Sequence, residues 1–405
     1  MTKKCLLVSP DFPPPLIGGS LVYVSTLVSN TKDSFDILTG IKKNNKSEVT
    51  DSPNKIIRSS FIADSSNPSR FSLFKMYMCF LFLIPLMIFR TSYKVIIANS
   101  GVIGNSILIF LGKLLKIKVI CISYGEELNA PIKSNTIKSS VKRNSIKFFY
   151  KKASGFIVVC HFCKNLLTDK FGIENNKIDV IASCLSLQKF SENLSLLKKK
   201  NSILSVGRLI ERKGFHLLIK SVLRLRGKID NLTLTIVGQG PLKNSLTKII
   251  DENNASSFIL LKTEVDDEKL KLIYETSELF VLANHELKNG DTEGCPSVFS
   301  EAMLYELPSI GGKFAGVETA IINNENGLVV DVKKDSALDE AILKLLESKF
   351  TRDIFIVNGK KKLLRDHHPR VVGKQFERSI ERFINEKPAT GFQKKFNSSV
   401  PSINI

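Results

Sequence analysis

ILSVGRLIERKGFHLLIKSV (203–222) passes from a short apolar run through a basic turn into a helical pattern of apolar positions. Similar apolar runs follow at LTLTIVG (232–238), FILLK (258–262), LFVLA (279–283) and LPSIGG (307–312), separated by segments of helical length. Near-continuous apolar strands spaced by helices predict a parallel sheet covered on both faces. Upstream, CLLVS (5–9), FDILTG (35–40), KVIIANS (94–100), IKVICIS (117–123), GFIVVC (155–160) and KIDVIA (177–182) show the same alternation, which the polar stretch SENLSLLKKKNS (191–202) interrupts. The chain therefore reads as α/β, with two doubly wound, Rossmann-like parallel-sheet domains facing across a cleft. The expected division is 1–190, a linker at 191–200, a second domain at 201–369, a helix at 370–386 available to pack back on the first domain, and a disordered tail at 387–405. At 405 residues the chain fits two cores better than one. Ligands of open parallel sheets bind beyond the carboxyl ends of the strands, so a site is expected in the cleft.

Hydrophobic residues make up 43% of the chain and charged residues 24%, a globular rather than disordered balance. The seven cysteines, Cys5, Cys79, Cys121, Cys160, Cys163, Cys184 and Cys295, are odd in number and lie mostly in apolar runs. That pattern fits reduced thiols in the cytoplasm rather than a disulfide framework. The N-terminal apolar run is too short for a signal peptide. A formal net charge of +20 has two readings: an anionic partner surface such as a membrane, or lysines that only solvate the exterior. Nucleic acid is not expected, because no zinc finger, RNA-binding signature or basic helix with interleaved aromatics is present. MYMCFLFLIPLMIF (76–89) carries no charge. It falls short of the roughly 20 residues needed to span a bilayer, and Pro85 interrupts it. The reading is a partly buried helix whose exposed edge enters an anionic membrane surface.

Candidate ligand chemistry clusters in four segments. In VGRLIERKG (206–214), Arg208 can fork onto phosphate oxygens and Lys213 adds a mobile point charge; two solvated basic residues are the alternative. IVGQGPL (236–242) is a strand ending in a turn with Gly238 and Gly240, with Pro241 suited to a first helical position. It lacks the third glycine of a dinucleotide register. In GDTEGCPSVFSEAM (290–303), Glu293 and Glu301 flank a loop of Gly294, Cys295, Pro296 and Ser297 whose amides would face an anion at a helix start. Glu301 can accept bonds from vicinal hydroxyls, and Glu293 can touch a sugar or an acceptor; an ordinary surface helix is the alternative. SPDFPPPLIGGS (9–20) ends the first strand in a loop whose Gly18 and Gly19 allow backbone to close over phosphate, or make a simple turn. Cys160-His161-Phe162-Cys163 has no second ligand pair at metal spacing and is read as helix-start packing rather than a zinc or redox motif.

Taken in order, SPDFPPPLIGG, VGRLIERKGFHLLIKSV, TIVGQGPL, DDEKLKLIYETSELFVLAN, GDTEGCPSVFSEAMLYELPSIGG and NGLVV resemble the retaining glycosyltransferases of family four. The likeness covers about residues 4–385 and is strongest over 203–330. It implies the GT-B fold, a nucleotide-sugar co-substrate, no metal or other cofactor, and transfer to a glycan or lipid-linked acceptor. The implied setting is lipopolysaccharide or capsule assembly at the inner face of the cell membrane. Carried over, Arg208 and Lys213 would bind the donor diphosphate and stabilise it as it leaves, replacing a metal electrostatically. Glu301 would hold the donor ribose, Glu293 would lie near the transferred sugar, and Gly18 and Gly19 would form the loop over the donor. Gly238, Gly240, Gly294, Cys295, Pro296 and Ser297 would complete the donor contact.

Three segments depart from the family pattern. Tyr124 in ISYGEEL (122–128) stands where histidine is usual, with Glu126 beside it as a second acceptor-side candidate. A phenol donates one hydrogen bond but is a different acid–base group. IASCLS (181–186) replaces Pro-Asn-Gly-Val-Asp, and Thr319 occupies a place where glutamate is common. Two rival readings therefore stand beside the transferase: a nucleotide-sugar-binding partner that does not transfer, and an epimerase on the same fold. The 290–303 segment is closer to the transferases than to the epimerases.

Overall fold

A computed structural model describes residues 5–12, 19–31, 35–41, 54–62, 69–125, 128, 137–185, 190, 197–288, 292, 294, 296–314, 316–334 and 336–385. The expectations for Gly18, Glu126, Glu293, Cys295, residues 191–196 of the linker and the tail lie outside the described residues.

The first sheet contains β1 (Cys5–Val8), β2 (Phe35–Gly40), β3 (Lys55–Ser59), β4 (Val95–Ala98), β5 (Lys118–Ser123), β6 (Gly155–Val158) and β7 (Ile178–Val180). Their order is β3-β2-β1-β4-β5-β6-β7, and every pair is parallel. The second sheet contains β8 (Ser202–Val206), β9 (Thr233–Val237), β10 (Ile259–Lys262), β11 (Leu279–Leu282), β12 (Ser309–Gly312) and β13 (Gly327–Val330). It runs β10-β9-β8-β11-β12-β13, again parallel throughout. Burial on both faces explains the unbroken apolar runs: every residue of β1 and β4 is completely buried. The sequence reading missed two outer strands. KIIRS of β3 lies at the sheet edge, only half-buried and polar at both ends, and GLVV of β13 is a four-residue edge.

Around the first sheet lie α1 (Gly19–Ser29), α2 (Arg70–Thr91), α3 (Gly101–Leu114), α4 (Ile137–Tyr150) and α5 (His161–Asn165). The second carries α6 (Phe215–Leu225), α7 (Lys243–Glu252), α8 (Asp267–Thr276), α9 (Val298–Leu304), α10 (Val317–Ala320), α11 (Ala337–Glu347) and α12 (Lys349–Lys362). The last helix, α13 (Pro369–Asn385), returns to the first unit. Its Val372, Phe376, Ile380 and Phe383 repeat at helical spacing and enter the first core. Phe376 stacks on Phe35 with centroids 6.0 Å apart, and Arg382 pairs with Asp179 at 2.6 Å.

Both sheets reverse strand order at corresponding places, between β1 and β4 and between β8 and β11. Connections leave such a point in opposite directions, opening a crevice at the carboxyl ends of the strands. The elements that follow β1, β4, β8 and β11 therefore position a site.

The apolar stretch at 76–89 lies inside a longer helix, because Pro85 does not interrupt α2, which runs for 22 residues. Ser69 Oγ caps its start by accepting from the Ser72 amide at 3.0 Å, and Ser92 ends it in the left-handed region. A proline inside a helix costs about 3 kcal/mol, largely by removing one N–H donor. The deprived carbonyl is that of Leu81, an exposed residue that water reaches. Burial of Met76, Cys79, Phe80, Ile84 and Ile88 in the first core, at about 1.5–3 kcal/mol for each large side chain, offsets the loss. The opposite side leaves Phe71, Phe74, Phe82, Leu86 and Phe89 between 46% and 74% exposed.

Truncating the ring that anchors α13 tests this packing. Phe376→Ala is expected to destabilise the first unit by about 3–5 kcal/mol. Guanidinium unfolding followed by circular dichroism reads it, and a parental midpoint would show that α13 does not hold the first core.

Candidate functional site

β8 ends at Val206, and the chain turns through Gly207–Gly214 into α6. Gly214 takes φ 67°, and a Cβ there would meet Ala283 O at 1.9 Å, so the turn presses on the end of β11. The His285 amide donates to Arg212 O at 2.9 Å and ties the same two segments again. Gly238, just beyond β9, comes so close that a Cβ on it would lie 1.9 Å from Gly207 O. The Leu209 amide donates to Gln239 O at 2.8 Å, and the Leu242 amide to Leu209 O at 3.1 Å, which locks the Gly240 turn to the β8 turn. Pro241 stands two residues before α7 rather than at its first position, because Leu242 still belongs to that locked turn. Arg208 is exposed on this corner, whereas Lys213 is buried to 8% exposure behind it.

From β11 the chain continues through Asn284 and His285 towards α9. Asn284 is completely buried; its Oδ1 accepts from the Gly312 amide at 3.2 Å, while its Nδ2 has no partner among the described residues. Gly294 and Pro296 are buried, and Ser297 is half-buried at the start of α9 without a side-chain capping bond. Glu301 is the fourth residue of α9, and its Oε2 accepts from the Tyr274 hydroxyl at 2.9 Å. Tyr274 sits in α8, stacked on Tyr305 with centroids 4.9 Å apart. Burial, then the Glu301 charge, hold the Tyr274 hydroxyl well above its ordinary pKa, so it remains a donor. His216 and His285 meet edge to face at 5.9 Å, and burial lowers the pKa of both.

On the first sheet, Tyr124 follows β5. Its hydroxyl lies 3.1 Å from Asn99 Oδ1 and 3.3 Å from Ser20 O, and its ring meets Tyr23 edge-on at 6.0 Å. Tyr124 thus bridges the connections leaving β1 and β4, and Gly19 opens α1 beside it. The two sheets' loops touch here. Cys160 Sγ donates to Gly294 O at 3.2 Å, the His161 amide donates to Thr319 Oγ1 at 3.4 Å, and Gly294 has room for no side chain against Tyr124 O. Arg208, Lys213, Gly238, Gly240 and Glu301 therefore lie on connections from the carboxyl ends of the second sheet, and Gly19 and Tyr124 on those of the first. Sequence reasoning missed Tyr274, Asn99, Asn284 and His285. LANHE (282–286) and ANS (98–100) mark the ends of strands flanking the reversal points, a signal for three of them; Tyr274 is distant in sequence and had none.

Behind α9, His367 Nδ1 lies 2.6 Å from Ser183 O and 3.1 Å from Ser300 Oγ. A carbonyl can only accept, so Nδ1 carries the hydrogen, and the buried Nε2 has no partner among the described residues. Protonating Nε2 would bury a charge. Burial, aided by Lys362 and Arg365 and opposed by the Ser183 bond and Asp366, lowers the pKa to about 4.

Comparison with known proteins gives this geometry a context. Residues 188–362 match the family model described as glycosyl transferases group 1. A protein of Methanocaldococcus jannaschii described as an uncharacterized glycosyltransferase is 23% identical over 95% of this chain and 100% of its own length. The capsular polysaccharide biosynthesis glycosyltransferase of Staphylococcus aureus is 26% identical over 54% of this chain and 53% of its own length, so the match spans about half of that relative. Among solved structures, an Anabaena protein in complex with UDP superposes with a TM-score of 0.68 at 14% identity, covering 93% of this chain and 99% of its own. The architecture is GT-B, and the resemblance to glycosyltransferases of that fold read from the motifs is borne out at the level of group 1.

An unfolded histidine titrates near 6.5, so between about pH 6.5 and 4 the unfolded chain holds a proton that folded His367 refuses. Stability is therefore full above that window and falls as pH drops through it, by about 3 kcal/mol. Urea unfolding across the window should show this loss, and His367→Gln should flatten it. An unchanged slope in the variant would refute the assignment.

Proposed function

We propose that this homologue of the group 1 glycosyltransferases moves a sugar from a nucleotide donor to a glycan or lipid-linked acceptor, with retention, in surface polysaccharide assembly. One observation carries the reading: Arg208, Lys213 and Glu301 all lie on the connections leaving β8 and β11, where the second sheet reverses its strand order. The UDP-bound Anabaena protein of like fold supports a nucleotide ligand, and the capsular relative supports a polysaccharide setting.

In this reading Arg208 forks onto the donor diphosphate and Lys213 adds a second positive charge. As the bond from the anomeric carbon to the phosphate oxygen breaks, its electron pair goes to that oxygen. The two cations stabilise the charge that develops there, so no metal is required. The acceptor hydroxyl attacks from the face that the phosphate leaves, and its proton passes to the departing phosphate oxygen. Glu301, with Oε2 held by Tyr274, presents its carboxylate to the ribose hydroxyls. By the family resemblance, Glu293 would adjoin the transferred sugar and Gly18 and Gly19 would form the loop over the donor. The contact of Tyr124 with Asn99 supports a positioning role for the phenol, so transfer proceeds without an imidazole at that place. The phenol of Tyr124 in place of the usual histidine is what favours the second reading, binding without transfer.

The exposed side of α2 supports peripheral membrane contact. α3 packs beside α2 and α4 beside α3, adding Ile103, Phe110, Leu114 and Phe148 as exposed apolar residues. α2 is long and apolar enough to cross a bilayer by length and composition, but its other face is built into the first core. It would therefore lie in the plane of the interface at the inner face of the membrane. Its phenylalanines would enter the headgroup boundary, with Lys75, Arg90 and the +20 net charge attracting anionic lipid.

Arg208→Ala and Lys213→Ala should each lower kcat/KM by about 100- to 1,000-fold in a nucleotide-release assay with a panel of nucleotide sugars. Parental kinetics in both would sink the diphosphate assignment. Donor binding without release in the parent protein would instead favour the binding-only reading. Separately, Phe82→Glu combined with Phe89→Glu should abolish co-flotation with anionic vesicles while sparing nucleotide release. Flotation equal to the parent would rule out docking through α2.

A further inference from the structure

The Cys160–Cys163 pair has no part in the sugar-transfer reading, yet it sits where the two sheets' loops meet. Both thiols are completely buried, and their Sγ atoms are 3.1 Å apart at the start of α5. The sequence reading as helix-start packing describes the position but leaves out what the thiols do. Cys160 donates to Gly294 O at 3.2 Å, and Cys163 donates to Tyr124 O at 2.9 Å. Gly294 belongs to the connection between β11 and α9, and Tyr124 to the one leaving β5. Each thiol has one hydrogen, so each joins α5 to a different loop of the site. Among the described residues no group of three histidine, cysteine, aspartate or glutamate side chains is arranged to hold a metal, and the pair is left with thiol chemistry.

We propose that Cys160 and Cys163 form a reversible intrachain disulfide that unfastens the Gly294 loop from the first sheet. The co-reactant is another disulfide, either a small-molecule thiol dimer or a protein. The thiolate of Cys160 attacks one sulfur of that disulfide, forming a mixed disulfide and expelling one thiolate. The thiolate of Cys163 then attacks Cys160 Sγ, forming the intrachain bond and expelling the second thiolate. The two protons lost by the cysteines go to the two leaving thiolates. One disulfide is reduced as one is formed, so the electrons balance.

The product has no S–H groups. Gly294 O and Tyr124 O lose their donors together, and the sulfurs draw in from 3.1 Å to a bond of about 2.05 Å. Access follows from the same geometry. Cys160 is covered by Gly294 and lies close against Gly316, both from the second sheet's side, so parting of the facing loops admits the oxidant. Oxidation in turn removes one of the bonds that hold those loops together.

The test uses the full chain, equilibrated at several ratios of oxidised to reduced glutathione, then alkylated and digested. The expected product is a peptide linked between Cys160 and Cys163, two hydrogens lighter and restored by dithiothreitol. Cys163→Ala should stall as a glutathione mixed disulfide on Cys160. In hydrogen–deuterium exchange, amides across 292–299 should exchange about tenfold faster in the oxidised protein, the effect of losing one buried hydrogen bond. Three results would overturn the proposal: a link that forms only in denatured protein, a link from Cys160 to Cys295, or oxidation that leaves exchange at 292–299 unchanged. If Cys163→Ala does not fold, peptide mapping and exchange in the parent protein decide. Neither readout depends on sugar transfer.

Discussion

Where β8, β9 and β11 end, stretches of backbone touch with no side chain between them. Gly238 lies against Gly207 O, and Gly214 against Ala283 O, each closer than a Cβ would permit. Three strand ends are thereby drawn into one corner, which fixes where Arg208 and Lys213 stand and how the path to α9 begins. A methyl group at either glycine would force the turns apart, because the opposing atoms are backbone and cannot rotate away. The chemistry of the site therefore rests on close main-chain packing, with the charged residues carried on top of it.

A second level of organisation joins the two sheets. The chain leaves the first sheet after Ser183, builds the second, and returns through His367 and α13 to the first core. His367 connects Ser183 with Ser300 of α9, one residue from Glu301. Cys160 and Cys163 connect the start of α5 to Gly294 and Tyr124. The junction thus depends on a few buried groups with one hydrogen each. Such groups respond to protonation or oxidation, whereas the apolar cores on either side do not.

Much of the fold and part of the site were legible before any coordinates. The apolar runs located eleven strands because parallel strands are buried on both faces, and the glycine-bearing turns stood out because only glycine fits them. β3 escaped because an edge strand with lysine and arginine in KIIRS need not be apolar. Pro85 misled because a proline costs a helix only one bond and some strain, which five buried side chains outweigh. Tyr274 was invisible because its partner Glu301 lies 27 residues away, on a different helix. Spacing along the chain carries no record of such a contact.

Local pattern along the chain was enough to read the two doubly wound sheets, the basic turn after β8 that carries Arg208 and Lys213, and a likeness to glycosyltransferases of the GT-B fold. These are properties of local pattern: burial period, turn chemistry and motif order. The folded chain was needed to see that α2 is continuous with one buried and one exposed side, that Tyr274 holds Glu301, and that a CxxC pair fastens the Gly294 and Tyr124 loops. Those outcomes depend on which distant segments meet when the chain closes on itself, and the meeting is set by the packing of both cores together.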